Sequence, residues 1–241
     1  MKGINKITVA VLVAGLGFTG SSSASLFDRG GGLLYDDVLN VTWLQDANYA
    51  QTSGYAGADS LGRMDWNTAT TWAANLVYGG FSDWRLATNT PVNGSGFNYA
   101  FSYNGTSDFG SNVISPNSEL AYMYNVNLGL KDYYSTTGAT QANFGVFGNG
   151  TYGGQADVGL VKNLQSYYYW SGAEYSPGSG NAWLFHTNIG YQDVLSVKSL
   201  QMNAWAVRAG DVAAVPVPAA IWFFTSGLGL FAFSSRRKAQ G

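Results

Sequence analysis

Apolar and polar positions alternate in different rhythms along this chain, and the rhythm changes near its middle. Between Asp65 and Val77, Trp66, Ala69, Ala73 and Leu76 recur at helical spacing, and Asp65 stands where a side chain caps the first turn. Ser115-Pro116 followed by Leu120, Ala121 and Tyr124 predicts a second helix, with proline at its first position. Short runs rich in aromatic and branched residues predict strands at 33–36, 42–45, 168–171, 182–186 and 204–209. The stretches 89–117 and 136–154, dense in Gly, Asn and Ser, read as long surface loops. Two early helices followed by short strands predict an α+β domain.

Both ends carry a different pattern. Lys2 and Lys6 precede an uncharged, largely apolar run from Ile7 to Phe18, and the small residues Ser22 and Ala24 follow. A charged head, an apolar segment too short to span a bilayer and small residues at −3 and −1 predict a signal peptide, 1–24. At the other end no charge occurs between Asp211 and Arg236, and Pro218–Ser235 is long enough for a membrane-crossing helix of roughly 27 Å. Pro218 can open that helix, and Arg236, Arg237 and Lys238 would stay on the cytoplasmic side. The tail then acts as a stop-transfer, with everything before it exported across the inner membrane.

Composition narrows the chemistry. The 241 residues hold no cysteine, so disulfides, thiolate metal sites and cysteine nucleophiles are excluded. With 15% aromatic and 11% charged residues, the chain is neither a disordered polyelectrolyte nor collagen-like. Between its ends it carries seven Lys/Arg against fourteen Asp/Glu, a poor counterion for phosphate, so nucleic acid is not an expected partner. The glycine pairs, and Gly148-Asn149-Gly150, lack the lysine and the strand-to-helix setting of a phosphate loop. No cofactor is implied.

The C-terminal segment 212–241 resembles the PEP-CTERM class of sorting signals. The likeness rests on Val215-Pro216-Val217-Pro218-Ala219-Ala220, on the apolar stretch with Gly227-Leu228-Gly229-Leu230, and on the basic end. Pro-Glu-Pro itself is replaced by Pro-Val-Pro. That resemblance implies processing by a membrane exosortase near Pro216 and Pro218, in Gram-negative bacteria that make exopolysaccharide. Signal peptidase would be the second processing partner.

Residues 25–211 resemble a second family, the DUF1566 or Lcl C-terminal domain. The ordered matches are Gly31-Gly32-Leu33-Leu34-Tyr35-Asp36, Thr42-Trp43-Leu44, Trp66-Asn67-Thr68-Ala69 and Phe81-Ser82-Asp83-Trp84-Arg85-Leu86. Later ones are Ser118-Glu119-Leu120, Tyr169-Trp170-Ser171-Gly172, Ala182-Trp183-Leu184-Phe185 and Ala204-Trp205-Ala206-Val207-Arg208. Ala87 replaces the family's proline in Trp-Arg-Leu-Pro-Thr. The resemblance implies a C-type-lectin-like, formylglycine-enzyme-like domain in which the chain termini pair as strands and long loops carry the binding surface. The catalytic cysteines of formylglycine-generating enzymes are absent, as are the Glu-Pro-Asn and Trp-Asn-Asp calcium motifs of sugar-binding lectins, so no metal site is assigned.

With the single histidine, His186, neither a triad nor a two-histidine metal site is expected. His186 reads as a structural strand residue. If it is exposed instead, Asn188, Tyr191 and Asp193 beside it form a set of hydrogen-bonding groups for a ligand. Among carboxylates, Asp36-Asp37 would face opposite sides of a strand. Asp83 and Glu119 are the best pair for glycoside chemistry, although Asp83 is expected to brace a turn and Arg85 to pair with Glu119 or another acid. Trp43, Trp66, Trp84, Trp170, Trp183 and Trp205 read as core fillers. Tyr99, Tyr103, Tyr152, Tyr191 and the run Tyr167-Tyr168-Tyr169 are too many to bury, and exposed tyrosines beside Asn and Asp suit the apolar faces and hydroxyl edges of sugars. The candidate glycan-binding residues are therefore Tyr191, Asn188, Asp193 and Tyr167, with no catalytic residue. The Asn-x-Ser/Thr sequences at Asn40, Asn93, Asn104 and Asn149 carry no weight in so Asn-rich a chain. The expectation is an exported, non-catalytic surface or matrix protein that contacts polysaccharide; a structural matrix protein without sugar recognition, or a glycan-acting enzyme, are the alternatives.

Overall fold

The structure, a computed structural model, describes residues 26–212. The expected signal peptide, 1–24, and the expected membrane helix, 218–235, lie outside them. Among the described residues no helix is long and apolar enough to cross a membrane.

The architecture is mixed, mostly strands with few helices. In chain order the elements are β1 (Leu26–Gly30), β2 (Leu33–Asp36), β3 (Val41–Leu44), α1 (Tyr49–Thr52) and α2 (Trp66–Ala74). The short strands β4 (Arg85–Leu86), β5 (Phe101–Ser102) and β6 (Phe109–Gly110) follow, then α3 (Glu119–Tyr122), which runs into a π-helical turn over Met123–Asn127. The remainder is β7 (Gln155–Val158), β8 (Val161–Gln165), β9 (Tyr168–Glu174), β10 (Asn181–His186), β11 (Tyr191–Val197) and β12 (Ala206–Ala209).

Two five-stranded sheets form, in the orders β1-β2-β3-β12-β4 and β5-β6-β11-β10-β9, beside the hairpin β7-β8. The first closes because β2 and β3 turn tightly: the buried Asp36 carboxylate accepts from the backbone N–H groups of Val38 and Leu39 at 3.0 and 2.9 Å. The last strand, β12, is inserted between β3 and β4, where Ala206 and Val207 are fully buried. The two ends of the described chain thus share a sheet, and Arg29 joins Asp211 through two hydrogen bonds of 2.8 and 2.6 Å. They do not pair with each other, unlike the arrangement the family resemblance implies, because β1 lies against β2 at the far edge.

Helix α2 begins as expected, with the Asp65 carboxylate accepting from Thr68 N at 2.9 Å, and it lies against β4 and β9. It ties the two sheets together by a core residue, since the Trp66 indole donates to Ser171 O at 2.8 Å. All six core tryptophans are buried. Trp170 and Trp205 use their polar handles in the same way, donating to Met64 O at 2.9 Å and Leu44 O at 2.7 Å.

The second expected helix is corrected. Pro116 lies in the turn before it, where Ser118 N bonds Ser115 O, and the helix opens only at Glu119. The start is displaced because Arg85 grips the Glu119 carboxylate and Thr88 O takes the Glu119 N–H, which pins that residue to the first sheet. The wide π turn that follows presents Asn127, whose side-chain amide donates to Asp36 Oδ2 at 2.6 Å.

Candidate functional site

The residues singled out from sequence fall into two places. His186 ends β10, and its ring lies between Tyr168 at 4.2 Å and Tyr191 at 5.2 Å. Its Nε2 stands 3.3 Å from Asp193 Oδ2, off the line of an aligned hydrogen bond. Tyr191 continues the row across the sheet to Phe109 and Phe101, at 5.6 and 5.8 Å, and burial raises its phenol well above the ordinary range. Asn188 is buried in the β10–β11 turn. Tyr168, His186 and Tyr191 therefore hold neighbouring strands together by ring contact, and Asn188 is buried. Strand pairing places His186 opposite both Tyr168 and Tyr191, so the rings lie against one another, with Tyr191 and Asp193 half-buried and Asn188 buried.

Tyr167 lies elsewhere, at the rim of a cleft of about 370 Å³ whose lining includes Gln51, Arg63, Tyr152, Gln155, Gln165 and Asn203. That volume is at the small end of the ~300–1,000 Å³ typical of ligand clefts. The Arg63 guanidinium sits 5.3 Å from the Tyr167 ring centre, and the Tyr152 ring stands 4.8 Å from Tyr167. These three side chains form a rib, of which Tyr152 is 54% exposed. Its backbone is nevertheless fixed: Gly153 N donates to Ser166 O at 2.7 Å, Ser166 N to Gly154 O at 2.9 Å, and Ser166 Oγ to Thr151 O at 2.5 Å. Gly153 and Gly154 have φ of 85° and 82°, a region that glycine enters without strain, so the chain can double back against Ser166 with Tyr152 facing outward.

The polar lining is a network of amides. Gln165 Nε2 donates to Gln155 Oε1 at 2.7 Å and Asn163 O at 2.9 Å. Asn203, 1% exposed, donates through Nδ2 to Asn48 Oδ1 and Leu61 O, and Asn48 donates in turn to Gln51 Oε1 at 2.7 Å. Gln165 and Asn203 are buried and spend their NH₂ groups on protein oxygens, so they brace the cleft, and the amides that face solvent in it are those of Gln51 and Gln155. Asp59 is bound to Arg63 at 2.7 Å and accepts from two backbone N–H groups; burial acts to raise its carboxyl, but these hydrogen bonds outweigh it and the net shift is downward. The cleft is thus built of rings and amides around one internally neutralised ion pair.

The two carboxylates weighed for glycoside chemistry are both committed. Glu119 accepts twice from Arg85 at 2.7 Å, as the sequence leads one to expect. Asp83 does not brace a turn; it accepts from Arg208 at 2.8 and 3.0 Å. Arg85 is opposite Val207, so Arg208, one residue on, points to the other face of the sheet. Glu119 and Asp83 consequently lie on opposite faces and cannot flank one bond. Among the described residues no cluster of three or more acidic or histidine side chains could hold a metal ion.

Of the cleft residues only Tyr167 and Tyr152 were visible as candidates in the sequence. Arg63, Gln51, Gln155, Gln165 and Asn203 are scattered over about 150 positions and carry no motif. The one local signal was Tyr152 set between glycines in a polar loop. Compared with protein-family models, with curated proteins and with solved structures, the chain matches none of them.

Proposed function

We propose that this is an exported bacterial surface or matrix protein that binds extracellular polysaccharide without transforming it, at the Tyr152–Tyr167–Arg63 cleft. The observation that carries the reading is that cleft: an exposed tyrosine on a fixed backbone, a second ring beside it, and the exposed amides of Gln51 and Gln155 for hydroxyl groups. Sugars offer an apolar ring face and an edge of hydroxyls, so rings and amides suit them better than charges do. The non-catalytic reading is supported by the separation of Asp83 and Glu119, each bound to its own arginine. Weak single contacts would gain strength from many copies on one surface. The resemblance of 25–211 to the Lcl C-terminal domain, and through it to lectin-like folds, supports the same reading.

The test is retention of the mature protein on its producer's extracellular polysaccharide, immobilised on resin. Wild type is expected to be held back and Tyr152→Ala to elute with the inert-resin control while still unfolding cooperatively, since about half of the residue is in solvent. Equal elution of wild type from both resins would sink the proposal.

Export and sorting give a separate expectation. The mature species should have lost Met1–Ala24 and the hydrophobic tail, as an intact-mass measurement on protein from the native cell would read. Pro218→Ala should leave a species that keeps Arg236, Arg237 and Lys238. Processing that is indifferent to Pro218, or a wild-type protein that keeps its tail in the membrane, would argue for an ordinary anchor and against exosortase.

A further inference from the structure

We propose that the site takes an internal stretch of an uncharged glycan chain, with consecutive sugar units on both sides of the Tyr152–Tyr167–Arg63 rib; this rests on the polysaccharide reading above. A second depression, of about 340 Å³, adjoins the first, and its lining adds Asp59, Tyr168, Leu200, Gln201 and Met202. Arg63, Tyr152 and Tyr167 line both. The three side chains are therefore a divide between two depressions of similar size, not the back wall of one.

This shape bears on which part of a chain is bound. A site for a chain end is closed on one side, so that a further sugar unit collides with the wall. Here the divide is topped by Tyr152, the side chain of the three most open to solvent, and a chain lying in one depression can pass over it into the other. The linings match a chain of repeating units, because each depression offers ring surface from the shared rib and an exposed glutamine of its own, Gln155 in the first and Gln201 in the second.

Charge narrows the ligand further. Asp59 and Arg63 are the charged residues that line the two depressions, and they are joined to each other at 2.7 Å. The remaining Asp59 oxygen accepts from the backbone N–H groups of Leu61 and Arg63, both at 2.9 Å. Arg63 spends its charge on Asp59 and its flat face on Tyr167, so it is not the free cation that a uronate or sulfate ester calls for. The expected ligand is neutral, held by stacking and by hydroxyl hydrogen bonds.

Calorimetric titration of the full chain with mono- to hexasaccharides, obtained by partial hydrolysis of the producer's own polysaccharide, tests this. The hexasaccharide is expected to bind about tenfold or more tighter than the monosaccharide, equivalent to one or two added hydrogen bonds. Gln155→Ala and Gln201→Ala, both at exposed positions, should each weaken the hexasaccharide about fivefold, and Tyr152→Ala should abolish binding at every length. Affinity should hold from low to high salt, since exposed charge pairing would be screened. Affinity that ignores chain length, a silent Gln201→Ala, or a steep salt dependence would overturn the two-sided neutral site while leaving Tyr152-dependent polysaccharide binding intact. Failure of every oligosaccharide and of the parent polysaccharide to bind would overturn both.

Discussion

Asp132→Asn is expected to make the fold more stable at pH 8 and to change it little near pH 4. Asp132 is 1% exposed and, among the described residues, has no cationic partner; its Oδ2 accepts from Asn112 N, while Oδ1 has no donor among those residues. Oδ1 is aimed at Gly190, where a Cβ would fall 2.1 Å from it, so the turn comes this close only because Gly190 has no side chain and a φ of 64°. Burial lifts the carboxyl from 3.8 to about 7, with the Asn112 hydrogen bond opposing it. A folded-state value above the unfolded one means that the native protein holds the proton more tightly. The stability this contributes is complete below about pH 4 and is lost as pH rises through 7. At about 1.4 kcal/mol for each unit, the loss in going from pH 4 to pH 8 is on the order of 4 kcal/mol. Asparagine keeps an oxygen for Asn112 N and carries no charge to bury. Urea unfolding at pH 5 and pH 8 reads the effect, and parallel pH profiles for wild type and variant would refute it.

Glu119→Gln should give the largest loss among the ion-pair variants, about 2–4 kcal/mol. Its carboxylate accepts two bonds from Arg85 and one from Thr88 N at 2.8 Å, with the side chain only 11% exposed. Removing one partner from a buried pair leaves the other charge uncompensated, which typically costs ~3–5 kcal/mol; Arg85 is 41% exposed, so water recovers part of this. For a domain of this size the melting temperature should drop by roughly 5–15 °C. The pair also ties α3 to β4, so its loss loosens the junction between the first sheet and the long loop before α3. The double variant Arg85→Met/Glu119→Leu is the informative control, expected to be clearly more stable than Glu119→Gln. A double variant as unstable as the single one would mean that the backbone bond to Thr88, not the charge, sets the cost.

The core was more legible in the sequence than the site, and the reason is local. Trp43, Trp66 and Trp205 stand in apolar runs with strand or helix rhythm, and a large ring in such a run has nowhere to go but inside. β11 was missed because Tyr191-Gln192-Asp193 reads as polar. In the fold Gln192 is buried, its amide donating to Asp108 O at 2.7 Å and to Ser118 Oγ at 3.3 Å, partners 84 and 74 residues away. His186 is the strand residue its apolar neighbours Leu184 and Phe185 lead one to expect, but no local pattern shows that strand pairing sets the Tyr168 and Tyr191 rings against it.

What the sequence determined alone are the properties that depend on neighbours in the chain. The capped helix at Asp65 and the strand runs at 33–36, 168–171 and 182–186 follow from residue type and spacing, because hydrogen bonds and periodicity act within a few positions. Tertiary structure decided what depends on distance through space. It set Asp83 and Glu119 on opposite faces of a sheet, and it drew Gln51, Arg63, Tyr152, Gln165, Tyr167 and Asn203 into one cleft. It also closed Asp132 away from water under Gly190. No pattern along the chain encodes those contacts, since each is the meeting of segments that only the pairing of strands brings together.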